Sequence, residues 1–248
     1  MGLSVDEWTL VIRNGNKGRR FKTFPATSRC KAIINSTHKP YNDDKISFAD
    51  LTTLVTKFKN NLPDYFKQFI ISRLEQALDH HHLAIIRIFG IGPLSISQDS
   101  LWQLALLLHI KEYFGVDFVT SQDPLTSETE EKYLQSCGIQ VLPPDDLRSS
   151  PPTFSNGFTL LYMIHCTQDM YENVLSCYYN KENNDLQRLI LFGNDPWHLS
   201  TNIFKLQIPN LTSFTALSTI IPLPYFEPKE NAFHRTAICF IREKEEED

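Results

Sequence analysis

Four places along the chain carry residue types that hold ligands or do chemistry: Gly90 with Gly92, Asp123, His165 with Cys166, and Gly193 with Asn194. Each follows a short apolar run. Ile85-Ile86-Arg87-Ile88-Phe89 leads into Gly90-Ile91-Gly92, which reads as a buried parallel strand entering a tight turn. A parallel sheet gathers the C-terminal ends of its strands on one edge, so segments far apart in sequence are expected to share one crevice there. These residues are the ligand-binding candidates. Beside that stands a plainer possibility, that the glycines only make tight turns and that Asp and Asn only cap helices.

The chemistry they support is narrow. A dinucleotide fingerprint, G-x-G-x-x-G, lacks its third glycine, and Pro93 removes one backbone donor from a phosphate nest, which argues against NAD. No G-x-x-x-x-G-K-S/T phosphate loop exists. An S-adenosylmethionine site would want a glycine turn after the first strand and an acid after the second to take the ribose hydroxyls; Gly90-Ile91-Gly92 and Asp123 have those places. Cys166 beside His165 invites a thiolate and its base, but neighbours on an extended chain point to opposite faces, and buried cysteine is often a small hydrophobe. His165 is either a hydrogen-bonded structural residue or a haem or metal ligand, joined by His198 and His234 if folding brings them close. His80-His81-His82 reads as a solvated helix end, not a metal site. No metal centre is expected.

Positioning these groups requires alternating strands and helices. Ser47 and Asp50 have capping-box spacing ahead of Phe48, Leu51, Leu54, Val55 and Phe58 at helical period. A second helix is expected from Pro63 at its first position, with Phe66, Ile70, Leu74, Ala77 and Leu78 on one face, and both helices are expected to pack on the sheet. Ser97 or Ser100 caps a helix ending at Gly115 that is apolar almost all round, hence buried. Further strands are predicted over Val116–Thr120, Ile139–Leu142, Phe158–Ile164, Leu189–Phe192, Leu217–Ile221 and Thr236–Ile241, with helices after Ser127, from Gln168 to Tyr179, and after Asp195-Pro196. Gly193-Asn194 is taken as a turn. The pattern predicts an α/β, Rossmann-like, doubly wound and mostly parallel sheet with an N-terminal helical extension, its last strand or two antiparallel.

Composition sets the outer limits. With 248 residues, 42% of them hydrophobic, the chain can bury a full core. Its longest nearly uncharged apolar stretch, Leu101–Ile110, is far shorter than the ~20 residues of a membrane span, and the N-terminus lacks a signal pattern. Five widely spaced cysteines without a C-x-x-C pair fit a reducing compartment, so an intracellular protein, cytoplasmic or also nuclear, is expected. Residues 1–46 form a basic, partly irregular arm, with nine Lys or Arg against four acids up to Lys45 and a hairpin candidate at Trp8–Arg13 followed by Asn14-Gly15. Residues 47–242 are the α/β domain and 243–248 an acidic tail. Sparse aromatics among the basic residues and a net charge of -5 argue against nucleic acid.

Taken together, these segments resemble the SRR-like family, named for sensitivity to red light reduced, over about Ile85 to Ile241. Gly90-Ile91-Gly92 with Gln103-Leu104-Ala105-Leu106-Leu107-Leu108 resembles its G-I-G turn and Q-L-A-L-L-L run. Asp123-Pro124 resembles its D-P pair, Tyr162-Met163 with His165-Cys166 its Y-M-P-H-C, and Gly193-Asn194 its G-N turn. Ile164 replaces the family's proline. Near the end, Phe233-His234-Arg235-Thr236-Ala237-Ile238-Cys239-Phe240 departs from F-N-D-T-S-I-H-W, with Arg235 for the acid and Cys239 for the histidine. The resemblance implies a regulatory protein associated with light and circadian input, haem-biosynthesis regulation or microtubule-related regulation, binding a protein partner or small ligand at the strand-end crevice. The rival expectation is an S-adenosylmethionine-dependent methyltransferase or another nucleotide-using enzyme on the same scaffold. The cofactor stays open, with S-adenosylmethionine and haem the two candidates.

Overall fold

The computed structural model describes residues 46–144, 157–179, 185–196 and 208–242. The expected basic arm, its hairpin, His198, the helix after Pro196 and the acidic tail lie outside these residues. In chain order the described elements are α1 (Phe48–Asn60), α2 (Asp64–Leu78), β1 (His82–Phe89), α3 (Gln98–Phe114), β2 (Phe118–Gln122), α4 (Glu128–Ser136), β3 (Gln140–Val141), β4 (Gly157–Met163), α5 (Gln168–Tyr178), β5 (Leu189–Asn194), α6 (Pro209–Leu217), β6 (Ser218–Pro222) and β7 (Thr236–Ile241). Short 3-10 turns at Asp185–Arg188 and Glu230–Phe233 precede β5 and β7.

Seven strands form one sheet in the order β3-β2-β1-β4-β5-β7-β6. All pairings from β3 to β5 are parallel, whereas β7 runs antiparallel to both β5 and β6. The winding therefore reverses between β1 and β4, and that switch point is where an open sheet leaves a crevice beyond its strand ends. Register sorts the side chains onto two faces, since alternate residues of a strand point oppositely. One face carries Ile86, Ile88, Leu160, Tyr162, Ile190, Phe192, Ile238 and Phe240 in a core shared with helices α2, α3 and α4. The other carries Phe89, Leu161, Met163, Leu191 and Cys239 against α5 and α6.

The helix signals work as physical chemistry predicts, with two adjustments. Ser47 accepts the Asp50 N–H, Ser97 accepts the Ser100 N–H, and Ser127 with Glu130 makes a full capping box. Gly115 ends α3 in the left-handed conformation at φ +61°. Pro63, expected inside α2, instead stands just before it as an extended cap, which its fixed φ allows equally. Helix α1 has helices, not strands, as its main neighbours. It lies over α3 and α4, with Phe58 edge-on to Trp102 at 4.6 Å, which explains why α3 is apolar on every side.

Strand limits also move. Strand β2 begins at Phe118 and ends at Gln122, two residues later than its apolar run indicated, because Val116 is consumed by the α3 cap, where its N–H bonds the Lys111 carbonyl. Helix α6 carries no sequence cap and was not expected. Gly193-Asn194 is a correction: both residues belong to β5 and pair with Ala237 and Thr236 of β7. Gly193 pairs with Met163 of the parallel neighbour β4 as well, so the antiparallel partner alone extends β5 by one residue, Asn194.

Candidate ligand crevice at the strand ends

The turn after β1 is left-handed at Gly90 (φ +63°) and Gly92 (φ +80°), where side-chain-bearing residues are strained. Its glycines also face protein. A Cβ on Gly92 would lie 2.7 Å from Ser100 Oγ, and one on Gly90 3.2 Å from Cys166 Sγ. The backbone donors here are occupied as well. Gly90 N–H donates to the Gln122 carbonyl at 3.0 Å, Gly92 N–H to Asp123 Oδ2 at 2.6 Å, and Ser95 N–H to Glu130 Oε1 at 2.7 Å. The remaining oxygens of the two acids turn back to their own loop: Asp123 Oδ1 accepts Leu125 N–H at 2.7 Å, and Glu130 Oε2 accepts Ser127 N–H at 3.0 Å. Two buried carboxylates thus stitch the β1 and β2 loops together. Burial raises the Asp123 pKa above its ordinary value, and the Glu130 charge adds to that, against the lowering effect of the Leu125 and Gly92 N–H bonds.

On the other side of the switch point, β4 ends at Met163 and the chain turns through Ile164 and His165, which adopts φ +59°. Asn194 holds this turn in a bracket. Its Oδ1 accepts His165 N–H at 2.6 Å, and its Nδ2 donates to the Cys166 carbonyl at 2.9 Å. Behind it, the buried Tyr171 hydroxyl accepts Asn194 N–H at 2.7 Å and donates to the Met163 carbonyl, tying α5, β4 and β5 at one oxygen. Gly193 is glycine because the Tyr171 ring fills its side-chain space, with Cε1 2.9 Å from an added Cβ. Cys166 is buried and donates to the Phe89 carbonyl at 3.2 Å; burial, helped by the Asp123 charge, pushes its thiol far above the ordinary range. That environment disfavours a thiolate there.

The His165 side chain stands exposed on the rim, and the protein packed around its ring still favours the neutral form. Desolvation lowers its pKa, opposed by a hydrogen bond to the His234 backbone and the charge of Asp99, with the His234 ring reinforcing the decrease. His234 and Arg235 are exposed beside it, and Arg235 adopts φ +50°, which the family's acid at this place would tolerate better. Among the described residues no group of three or more His, Cys, Asp or Glu is arranged to hold a metal ion.

The candidate residues do converge, but in two clusters. Gly90, Gly92, Asp123 and Cys166 form one, and His165, Cys166, Gly193 and Asn194 the other, with Cys166 common to both. Tyr171, the anchor of Asn194, and Asp99, whose Oδ1 is buried without a partner, complete them without a sequence signal, and Ser100, legible only as a cap candidate, stands against Gly92. Glu130, the capping-box acid of α4, also reaches Ser95, a contact with no local signal. The Q-L-A-L-L-L run has a use too. Gln103 donates to the Ala232 carbonyl at 2.9 Å while its own carbonyl accepts the Tyr162 hydroxyl at 2.9 Å, fixing the turn that leads to Arg235.

These contacts join the segments that looked alike in sequence, and a family model described as the SRR1 domain matches residues 58–240. The chain belongs to the SRR1 domain family. The matched span of this SRR1 domain runs from the end of α1 to β7 and so includes both clusters. The Arabidopsis thaliana protein SENSITIVITY TO RED LIGHT REDUCED 1 is 30% identical over 108 residues, covering 43% of this chain and 38% of the plant protein. The chain therefore aligns with well under half of that relative's length. Among solved structures, a class I S-adenosylmethionine-dependent methyltransferase from Listeria monocytogenes has a TM-score of 0.40 at 9% identity, over 82% of this chain and 70% of that one. MtNAS, solved in complex with MTA and tNA, has a TM-score of 0.41 at 12% identity, over 79% of this chain and 73% of that one. No helix among the described residues is long and apolar enough to cross a membrane.

Proposed function

We propose that this SRR1 domain is an intracellular regulatory binding module, with a protein partner or small ligand docking at the strand-end crevice, and that it performs no group transfer there. The observation that carries this is the internal use of the turn: Gly90, Gly92 and Ser95 N–H groups and all four oxygens of Asp123 and Glu130 bond protein. A phosphate would meet two carboxylates where it needs donors, and a ribose diol would have to share Asp123 with the backbone. The groups left to greet a visitor are His165, His234 and Arg235. The red-light sensitivity in the plant relative's name, and the circadian, haem-biosynthesis or microtubule-related regulation that the family resemblance implies, come to this chain as part of the same proposal, as does a location that is cytoplasmic or also nuclear.

The rival methyltransferase reading keeps one observation in its favour, the seven-strand sheet with a glycine turn after β1 and an acid after β2. Calorimetric titration of the purified protein with S-adenosylmethionine, ATP and haem separates the two. The binding-module reading expects no saturable binding of S-adenosylmethionine or ATP. Saturable S-adenosylmethionine binding that Asp123→Ala abolishes would replace it with the enzyme, and a haem absorbance band lost in His165→Ala would make haem the ligand of the crevice.

A further inference from the structure

Strand β1 carries a charge in the middle of its apolar run, on the face away from α1–α4. Arg87 is only 2% exposed on the central strand, in register with Thr120 of β2 and Leu161 of β4. Its Nη1 donates to the Tyr178 hydroxyl at 3.0 Å, its Nη2 to the Gln122 side-chain oxygen at 3.1 Å, and the guanidinium lies 5.0 Å from the centre of the Phe89 ring. Every one of these partners is neutral. No carboxylate pairs with Arg87 among the described residues. A guanidinium cannot shed its charge, and buried charges are as a rule paired.

A second observation is independent of the first. The Thr120 hydroxyl, on a residue 4% exposed, is buried with no hydrogen-bond partner, one strand away from Arg87 and on the same face. Two hydrogen bonds engage two of the five N–H donors of the guanidinium. Adjacent strands thus offer a cationic fork and an unused hydroxyl side by side, the donor set that oxyanions select. Gln122 and Tyr178 orient the fork.

We propose that Arg87 and Thr120 form a binding site for an oxyanion, a phosphate or carboxylate group, separate from the strand-end crevice. Thermal unfolding of the full chain tests it, with sodium phosphate or sodium acetate titrated against sodium chloride at matched ionic strength. The site predicts a saturable rise in Tm of about 2–5 °C over chloride. The phosphate arm and the acetate arm distinguish a phosphate from a carboxylate as the group bound. Arg87→Met, which replaces the cation by an apolar chain of similar length, should fold and lose the rise. Thr120→Val, close to isosteric, should weaken the apparent affinity about 3- to 10-fold. General salting effects act on any variant alike. A rise that persists in Arg87→Met, or no rise over chloride with either anion in the parent chain, overturns the proposal.

Discussion

Replacing Gly193 by alanine tests how the strand-end turns are held. An added Cβ would lie 2.9 and 3.0 Å from Tyr171 Cε1 and Cζ and closer still to the hydroxyl. Tyr171 is fully buried, so its ring must push into the core to make room. Overpacking of that kind costs about 1–3 kcal/mol. The same displacement strains the bonds of the Tyr171 hydroxyl to Asn194 N–H and the Met163 carbonyl, each worth about 0.5–1.5 kcal/mol. Alanine returns about 0.5–1 kcal/mol by restricting the unfolded chain. The net expectation is a loss of about 1.5–4 kcal/mol, read as a lower urea midpoint with unchanged slope. Because Asn194 carries the His165 turn, amide exchange at His165 should also accelerate. Tyr171→Phe provides the control: alone it leaves a buried N–H and carbonyl short of a partner, at about 1–3 kcal/mol. Combined with Gly193→Ala it removes the closest overlap, so the double variant should be less destabilised than the sum by at least about 1 kcal/mol. A Gly193→Ala protein within about 0.5 kcal/mol of the parent, or strictly additive effects, would refute the packing argument.

Native-state alkylation followed by peptide mapping should label Cys177, which is exposed, and spare Cys166 and Cys239 until the chain is unfolded; rapid labelling of Cys166 would contradict its burial and its raised pKa. The Asp123 carboxyl titrates above its ordinary 3.8 in the folded state, so it contributes stability fully below the unfolded value and loses it as pH rises through the folded one. Asp123→Asn should flatten that downward slope in urea midpoints taken upward from about pH 4, and an unchanged slope would remove Asp123 from the account. His165 has the opposite sign: its pKa is lowered from 6.5, so its contribution is present above that value and lost as pH falls through the folded one. A proton NMR titration should place its midpoint below 6.5, and a midpoint at or above that would overturn the assignment.

The fold was legible wherever one local cause dominated. Apolar runs marked β1, β4 and β5, and the Ser97, Ser127 and Gly115 signals bounded helices because a cap acts within four residues of itself. Helix α6 was missed for the complementary reason: it starts without a side-chain cap and is stabilised from outside, where Glu172 of α5 accepts Asn210 and Leu211 N–H at 3.1 and 2.9 Å. Gly193-Asn194 misread as a turn is the same failure in a strand, since pairing with β7 cannot be seen from ten residues of sequence. At the crevice, residue type and strand-end position located the candidates. The bonds that decide their roles, Asp123 to Gly92 and Asn194 to His165, cross 31 and 29 residues and have no local signature.

Those bonds also set the two sides of the strand-end edge apart. In an open α/β sheet the β1 loop is the side that receives phosphate, because its backbone donors are unpaired. In this SRR1 domain the donors at Gly92 and Ser95 are saturated by Asp123 and Glu130, so the β1 and β2 side is closed and negatively lined. The opposite side differs in kind. His165, His234 and Arg235 are exposed, two of them at positive φ, and the Asp99 Oδ1 lacks a partner across from them. Strain of this sort is retained where the surrounding structure enforces it, and Asn194, Tyr171 and Gln103 supply that enforcement through their hydrogen bonds. Recognition should therefore run along the β4 and β7 side of the switch point, where the His165 and Arg235 turns stand side by side. Rim substitutions at His234 and Arg235 should weaken capture of a partner while leaving the urea midpoint within about 0.5 kcal/mol of the parent. Substitutions at Gly92 and Asp123 should do the reverse, lowering stability first and binding only through it.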